Sequence, residues 1–330
     1  MIAGDVLARW MADARARDET MQGVVRAGAA VEALPALQAL ADQVDQVADS
    51  GSAVLAAAAR FLATPGAIEA CLRPLIDAAR ADPFFRPAFR AVSSAIRSGL
   101  VLYERPELSL LLAEIAADDL AAKRTFAQGP SSITFTGDHS LLHFIDAGGA
   151  TLSFWEAPML DESFSAVAAA PCRPVGRRKL RDGETIVLDG RREAFVIEHL
   201  SATMVYVQAT TRVGGGALSR EYDSRTMAFV GASSTDDAAS RTGLLLTLLR
   251  DMDRQDAVPL FIRAIREEDF HGRWHAMREL LALDADTALP HLREMARSDP
   301  HPEVRGAAAQ TLAAFFPGDT PAEERQSCPA

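Results

Sequence analysis

His271 and His275 stand four residues apart, with Glu267, Glu268 and Asp269 just before them. On a helix that spacing puts two imidazoles on one face, where a metal ion takes a pair of nitrogen ligands. The residues between them are Gly272, Arg273 and Trp274, so the glutamate that serves as general base in an HExxH helix is missing. Packing, or a solvated helix face, accounts for the pair. Gly214, Gly215 and Gly216 offer the flexibility of a phosphate loop. No Gly-Lys-Ser/Thr follows them and no helix begins there to aim N–H groups at an anion, so they read as a hairpin connection. Positive charge is densest from Arg173 to Arg181, with Arg177, Arg178 and Lys179 between. Such a cluster suits an anionic ligand or an acidic partner, but alternation along a strand divides it between two faces, as on a solvated edge strand. No serine sits in a GxSxG turn. Cys71, Cys172 and Cys328 are far apart, without the CxxC spacing of a zinc site or the dense pattern of a disulfide scaffold. No catalytic, cofactor-binding or metal-binding residue is assigned, and no cofactor is implied. Trp155, Phe195, Tyr206 and Phe229, with Phe154, are the residues that would line an apolar ligand pocket or pack a core. Because alternate residues of a strand face opposite ways, Phe154 and Trp155 share an interior only across a bulge.

The elements that must position these side chains fall into three regions, a multidomain α+β chain. Residues 1–128 repeat apolar side chains at helical spacing, as in Leu34, Leu37, Leu40 and Ala41 and again in Val54, Leu55, Ala58, Phe61 and Leu62. Turn or cap residues at Asp49-Ser50-Gly51, Thr64-Pro65-Gly66, Asp82-Pro83 and Glu104-Arg105-Pro106 divide them into five to seven helices, with Pro65 and Pro83 suited to first helical turns. Residues 129–233 alternate β-branched or aromatic with polar residues, beginning with Ser132-Ile133-Thr134-Phe135-Thr136. Eight or nine short strands are expected there, the last around Met227-Ala228-Phe229-Val230. Asp146-Ala147-Gly148-Gly149, Asp182-Gly183 and Asp189-Gly190 supply hairpin turns, and no stretch is long enough for helical crossovers. An antiparallel sandwich or jelly roll is implied. Residues 234–318 return to helix, first from Asp236 to Met252 with Leu244, Leu245, Leu248 and Leu249 on one face. Residues 319–330 read as a disordered tail.

Within the third region a pattern recurs. A shift of 32 residues matches Arg273 to Arg305, Ala276 to Ala308, Leu280 to Leu312 and Leu283 to Phe315, and a shift of 31 matches Pro259 to Pro290. The run from Asp299 to Leu312 resembles the second helix of a HEAT repeat of the short, roughly 30-residue kind: Pro302 opens the helix, small residues admit a neighbour, and Leu312 and Phe315 fill the space between layers. The resemblance implies an interaction surface, with Arg273, His275 and Arg305 as its candidate residues. Two repeats leave an open apolar end, which the Leu244–Leu249 helix is expected to complete. The middle region, through Gly183-Glu184-Thr185-Ile186-Val187-Leu188-Asp189-Gly190, is similar to a cupin barrel. In that family's second motif the proline, glycine and histidine positions fall here on Asp189, Arg191 and Ala194, and His139 and His143 do not reproduce the His-x-His pair. A metal site is therefore lacking, and a plain β-sandwich of another family accounts for the same strands.

Thirty-four basic against 45 acidic residues give a net charge of −11, which opposes attraction to nucleic acid or anionic lipid. The N-terminus carries Asp5, Arg9, Asp13 and Arg15 where a signal peptide needs an apolar core, and no run reaches the roughly 18 apolar residues that span a bilayer. A cytoplasmic protein is expected. The leading functional reading is a non-enzymatic interaction or scaffold protein that binds another protein through its helical repeats. A small-molecule sensor or carrier using the β-barrel is the alternative, and a cupin-type metal-dependent enzyme the third.

Overall fold

The structure, a computed structural model, describes residues 4–126, 132–160 and 169–316. It divides into two compact units, Met1–Ala157 with Arg173–Gly215 and Pro158–Cys172 with Gly216–Ala330. The expected tail at 319–330, and Cys328, lie outside the described residues.

The first unit opens with five helices: α1 (Gly4–Ala12), α2 (Ala14–Glu32), α3 (Pro35–Gln46), α4 (Gly51–Ala63) and α5 (Ala67–Ala81). Their ends follow local chemistry. Asp13 accepts the backbone N–H groups of Arg15 and Ala16, Ser50 that of Ala53, and Pro35 sits in the first turn of α3. Gly66 precedes α5 with φ +76°, a conformation that a β-carbon resists. Neither Pro65, which precedes the Gly66 cap, nor Pro83 lies in a first helical turn. The chain there turns into three strands, β1 (Ala91–Ser93), β2 (Arg97–Glu104) and β3 (Ser109–Ile115), before helix returns at α6 (Ala117–Phe126). This corrects the reading of residues 1–128 as wholly helical. Leu100-Val101-Leu102 and Leu110-Leu111-Leu112 are unbroken apolar runs, and a strand covered on both faces lacks the alternation that marks a half-exposed one.

Eight or nine strands are expected in the middle region, and nine form among its described residues. They are β4 (Ser132–Phe135), β5 (His139–Asp146), β6 (Thr151–Glu156), β7 (Arg173–Lys179), β8 (Thr185–Asp189), β9 (Glu193–His199), β10 (Met204–Thr211), β11 (Leu218–Asp223) and β12 (Phe229–Ser234). One antiparallel sheet runs β1-β2-β3-β10-β5-β8, and a second runs β7-β6-β9. The larger sheet separates two cores. Leu110, Leu141, Val207 and Ala209 point to the helices and pack with Leu40, Val54, Ala58 and Phe61. Their neighbours Ala113, Leu142, Phe144 and Tyr206 point the other way, against Leu152 of β6. The helices and strands of residues 1–157, expected as separate domains, therefore share one unit. Helix α4 lies on β5 and β10, and its first residue leaves no space: a β-carbon on Gly51 would fall 2.1 Å from the Val213 carbonyl oxygen. Cys71 of α5 is buried in the helix-side core, and that burial pushes its thiol up to about 11, a setting that suppresses thiolate reactivity.

The second unit contains the β11–β12 hairpin and five helices, α7 (Asp237–Asp251), α8 (Val258–Glu267), α9 (Phe270–Leu283), α10 (Ala285–Ser298) and α11 (Pro302–Phe315). Asp236, Asp269 and Asp284 cap α7, α9 and α10. Hairpins α8/α9 and α10/α11 carry the recurring register, with Ala276, Ala308, Leu280 and Leu312 buried together. Two expectations are corrected. Phe315 is 75% exposed, while Phe316 takes the inward position. On α7 it is Leu246, with Leu249, that faces the stack; Leu244, Leu245 and Leu248 turn outward. No single helix among the described residues is long and apolar enough to cross a membrane.

If the larger sheet is a wall between two dry cores, Leu141→Ala on the helix side and Leu142→Ala on the sandwich side should each cost about 2–5 kcal/mol. Both should destabilise the same cooperative transition in urea, followed by circular dichroism of the full chain. Loss of stability from only one of the two would contradict the two-faced sheet.

Candidate functional site

Between the two sheets of the first unit lies a cavity of about 410 Å3. Its wall includes Ser140 of β5, Tyr206 and Gln208 of β10, and Glu193 and Phe195 of β9. Arg97, at the start of β2, and Lys123 of α6 add two cations. Cross-strand pairing explains how Arg97 arrives there, since Arg97 lies opposite Ile115 of β3, and Ile115 opposite Met204 of β10. Burial raises the Tyr206 hydroxyl above its ordinary pKa, partly offset by the Arg97 guanidinium that hydrogen-bonds to it. At neutral pH the wall thus presents a neutral phenol beside an arginine.

Of the four aromatics named from the sequence, the cavity brings together Phe195 and Tyr206. Trp155 lines a second recess with Phe154, Arg177 and Arg178. A register shift between Phe154 and Trp155 is the bulge that lets both face it. Phe229 belongs to the other unit, where its ring meets Tyr222 edge-on at 5.7 Å. His139, Leu141 and His143 share the face of β5 opposite to Ser140, so neither histidine enters the cavity. His139 Nε2 and Arg191 Nη1 both meet the Gly214 carbonyl oxygen, at 3.2 and 3.0 Å, which pins the glycine connection to the β8–β9 turn. The basic strand β7 is exposed along its length and is an edge of its sheet. Arg173 pairs there with Glu156, Arg177 with Glu198 and Arg178 with Glu184. Sequence periodicity could not show Arg97 or Lys123 as cavity residues, because both come from outside the region that reads as strand.

In the repeats, the three residues expected on a docking face are instead used within the stack. Arg273 donates to both Asp299 oxygens, at 2.9 and 2.8 Å, and to the Glu268 carbonyl oxygen at 3.0 Å. Its side chain is 15% exposed and that of Asp299 4%. Arg305 reaches back to the carbonyl oxygens of Asp299 and Pro300 in the turn before its own helix. His275 turns toward α7, its Nε2 3.1 Å from the Gly243 carbonyl oxygen and 3.2 Å from Thr247 Oγ1. Long polar side chains thus close gaps between helices where small residues let backbones approach. His271 points elsewhere, into a groove of about 380 Å3 between α9 and α11. Phe270 and Trp274 line it from one side and Gly306, Ala307 and Gln310 from the other. Among the described residues no group of three or more His, Cys, Asp or Glu side chains is placed to hold a metal ion.

Residues 232–313 match the family model for HEAT repeats. No curated protein matches the chain. Among solved structures it is similar to ectoine synthase from P. lautus, at 12% identity and a TM-score of 0.23, covering 37% of this chain and 68% of that one. It is also similar to KdgF from Halomonas sp., at 10% identity and a TM-score of 0.23, covering 38% and 86%. A cupin domain from Bordetella pertussis Tohama I is similar at 11% identity and a TM-score of 0.22, covering 36% and 97%. Likenesses at these scores carry nothing about chemistry.

Burial alone would raise the Asp299 carboxyl, but the Arg273 hydrogen bonds, the His301 backbone N–H and the Arg273 charge outweigh it and hold the group below the usual carboxylate range. A carboxyl depressed in the folded state adds stability above its unfolded pKa, near 4, and loses that contribution as pH falls through the folded value. Arg273→Ala, which strands a buried charge, should cost about 3 kcal/mol or more in urea unfolding. Asp299→Asn should make the loss of stability below about pH 4 shallower than in the wild type, by the share that this carboxyl contributes. An unchanged acid limb would show that this pair does not brace the repeats.

Proposed function

We propose that the chain is a non-enzymatic interaction protein whose C-terminal repeats hold a protein partner in the groove between α9 and α11. The observation that carries this reading is the groove itself. Trp274, half-buried, stands at its wall, opposite a floor of small residues, and a β-carbon added to Gly306 would meet nothing within 4 Å. A tryptophan anchored at its base beside open space is the arrangement that concentrates binding energy at protein interfaces. His271 and Glu303 give the rim polar groups that fix orientation. Arg273 supports the same reading: through Asp299 it ties α9 to the turn before α11, so a partner meets a preorganised surface. Cross-linking of the full chain in cells, followed by recovery, tests it. Trp274→Ala and Gly306→Arg should each remove the proteins that the wild type recovers, with the far-ultraviolet spectrum and thermal midpoint retained. Equal recovery with both variants would sink the groove.

A second reading rests on a separate observation, that Arg97 and Lys123 line the sandwich cavity together with hydroxyl and amide groups, against the single carboxylate of Glu193. That combination suits a small anion with an apolar body, and the sandwich would then act as a sensor or carrier domain. Thermal unfolding of the full chain against a panel of small carboxylates and phosphate esters is the check. A true ligand at about 100 times its dissociation constant adds about 2.7 kcal/mol, and Arg97→Ala should abolish the gain. No stabilisation by any member of the panel, or gains that survive Arg97→Ala, would remove this reading.

A further inference from the structure

The two cations and the carboxylate that line the sandwich cavity stand at opposite ends of it. At one end of β10, Met204 lies opposite Ile115, which in turn lies opposite Arg97; toward the other end, Thr210 lies opposite Ser140. Met204 and Thr210 are about 20 Å apart at the rise of a strand. Helix α6 follows β3 almost directly, so Lys123 enters from the Arg97 end. Glu193 belongs to the Ser140 end. Its Oε2 accepts the Asp189 backbone N–H at 2.9 Å, and Asp189 pairs with His139, next to Ser140. Between the ends the wall is mainly apolar, with Leu142, Phe195 and the Tyr206 ring.

None of the three charges has an ion pair among the described residues. Arg97 bonds to the neutral Tyr206 hydroxyl. The cross-strand neighbour of Glu193 is a like charge, Glu156, which pairs with Arg173. Arg177 and Arg178, in the adjoining recess, are taken by Glu198 and Glu184. Arg97 and Glu193 are half-buried, a setting in which a charge without a counter-charge is costly and a ligand that supplies one is favoured. Resting on the reading of this cavity as a ligand site, we infer that its ligand is a zwitterion. An anionic group binds Arg97 and Lys123, an apolar stem lies along Leu142 and Phe195, and an ammonium group meets Glu193. An ionised carboxylate can only accept hydrogen bonds, so a bare hydrocarbon end leaves Glu193 unsatisfied and a second anion is repelled by it. An ammonium supplies both the donors and the charge.

Isothermal titration calorimetry of the full chain tests the inference. The probes are 6-aminohexanoate, 8-aminooctanoate and 10-aminodecanoate, with the aminoalkyl phosphates of the same lengths to distinguish the two sources of the anionic group. Each is compared with the alkyl, hydroxyalkyl and doubly anionic compound of its length. The best-fitting amino compound should bind about tenfold or more tighter than its alkyl counterpart, the worth of one hydrogen bond between charged groups. Glu193→Gln keeps an oxygen for the Asp189 N–H, and should abolish that advantage while leaving the alkyl compound's affinity unchanged. Glu193→Lys should reverse the preference, toward the doubly anionic compound. Arg97→Ala should abolish binding of every probe. Equal binding of amino and alkyl compounds, an advantage that survives Glu193→Gln, or a hydroxyalkyl compound that matches the amino one overturns the zwitterion and leaves the anion site standing. Failure of every probe to bind overturns the cavity reading and this inference together.

Discussion

The first unit is governed by one requirement: its six-stranded sheet must be covered on both faces. Along β3, β5 and β10 apolar residues occupy successive positions, so the alternation that ordinarily leaves one side to water instead feeds two cores. Leu141 and Leu142 are adjacent in sequence and buried in different places. Along these central strands neither face is left to solvent, which makes the N-terminal helices a structural necessity for them. It also accounts for the texture of α4, where Ala57 and Ala58 are buried and Gly51 meets the backbone at Val213. Small residues there let a helix settle closely on the sheet. On the other face the same alternation brings Ser140 and Gln208 inward beside Tyr206, and polar residues among apolar ones leave a lined cavity in place of a filled core.

Where the chain obeys a single period, its sequence is easy to read. The nine strands from Ser132 onward announce themselves because polar residues interrupt the apolar ones, and Asp-Gly turns separate them. The repeats are legible for a related reason, since a unit that recurs at 32 residues gives each position a second witness. Strands β2 and β3 were hidden by their own burial, because Leu-rich runs satisfy a helical pattern as well as a strand covered on both sides. The cavity was half legible. Tyr206 and Phe195 stand in recognisable strands, but Arg97 reaches them only through pairing across β3, a long-range fact that no local pattern encodes. Arg273 was visible as a recurring residue and misread in role. Recurrence says that a position matters to the repeat, and does not say whether its side chain faces a partner or the next layer.

That next layer is where the second unit invests its polar groups. Each repeat arginine reaches the carbonyl groups of the turn before its own helix, and Arg273 also binds Asp299 in the following repeat. Fixed hydrogen-bond geometry constrains the angle between hairpins more tightly than apolar contact, which is non-directional. His275, between Gly243 and Thr247, extends the same principle to α7. The stack is held by its polar braces in orientation and by Leu280, Leu292 and Leu312 in contact.

The two-sided burial of β10 bears on how that strand resists slippage. In a strand with one wet face, a shift by one residue is penalised because its apolar side chains become exposed. Here such a shift would merely exchange one dry side for another, and Val207 or Ala209 would be nearly indifferent to it. Tyr206 and Gln208 would not be. Displaced to the helix side, the phenol would lose Arg97, the group that accommodates it now, while Gln208 and Thr210, which move together on the same strand, would carry their polar groups among the leucines of the helix-side core, and a buried polar group without a partner costs about 1–3 kcal/mol. Discrimination against the wrong alignment in β10 thus comes from its few polar side chains, and replacing both by apolar residues of similar size would trade alignment fidelity for a more uniformly greasy strand.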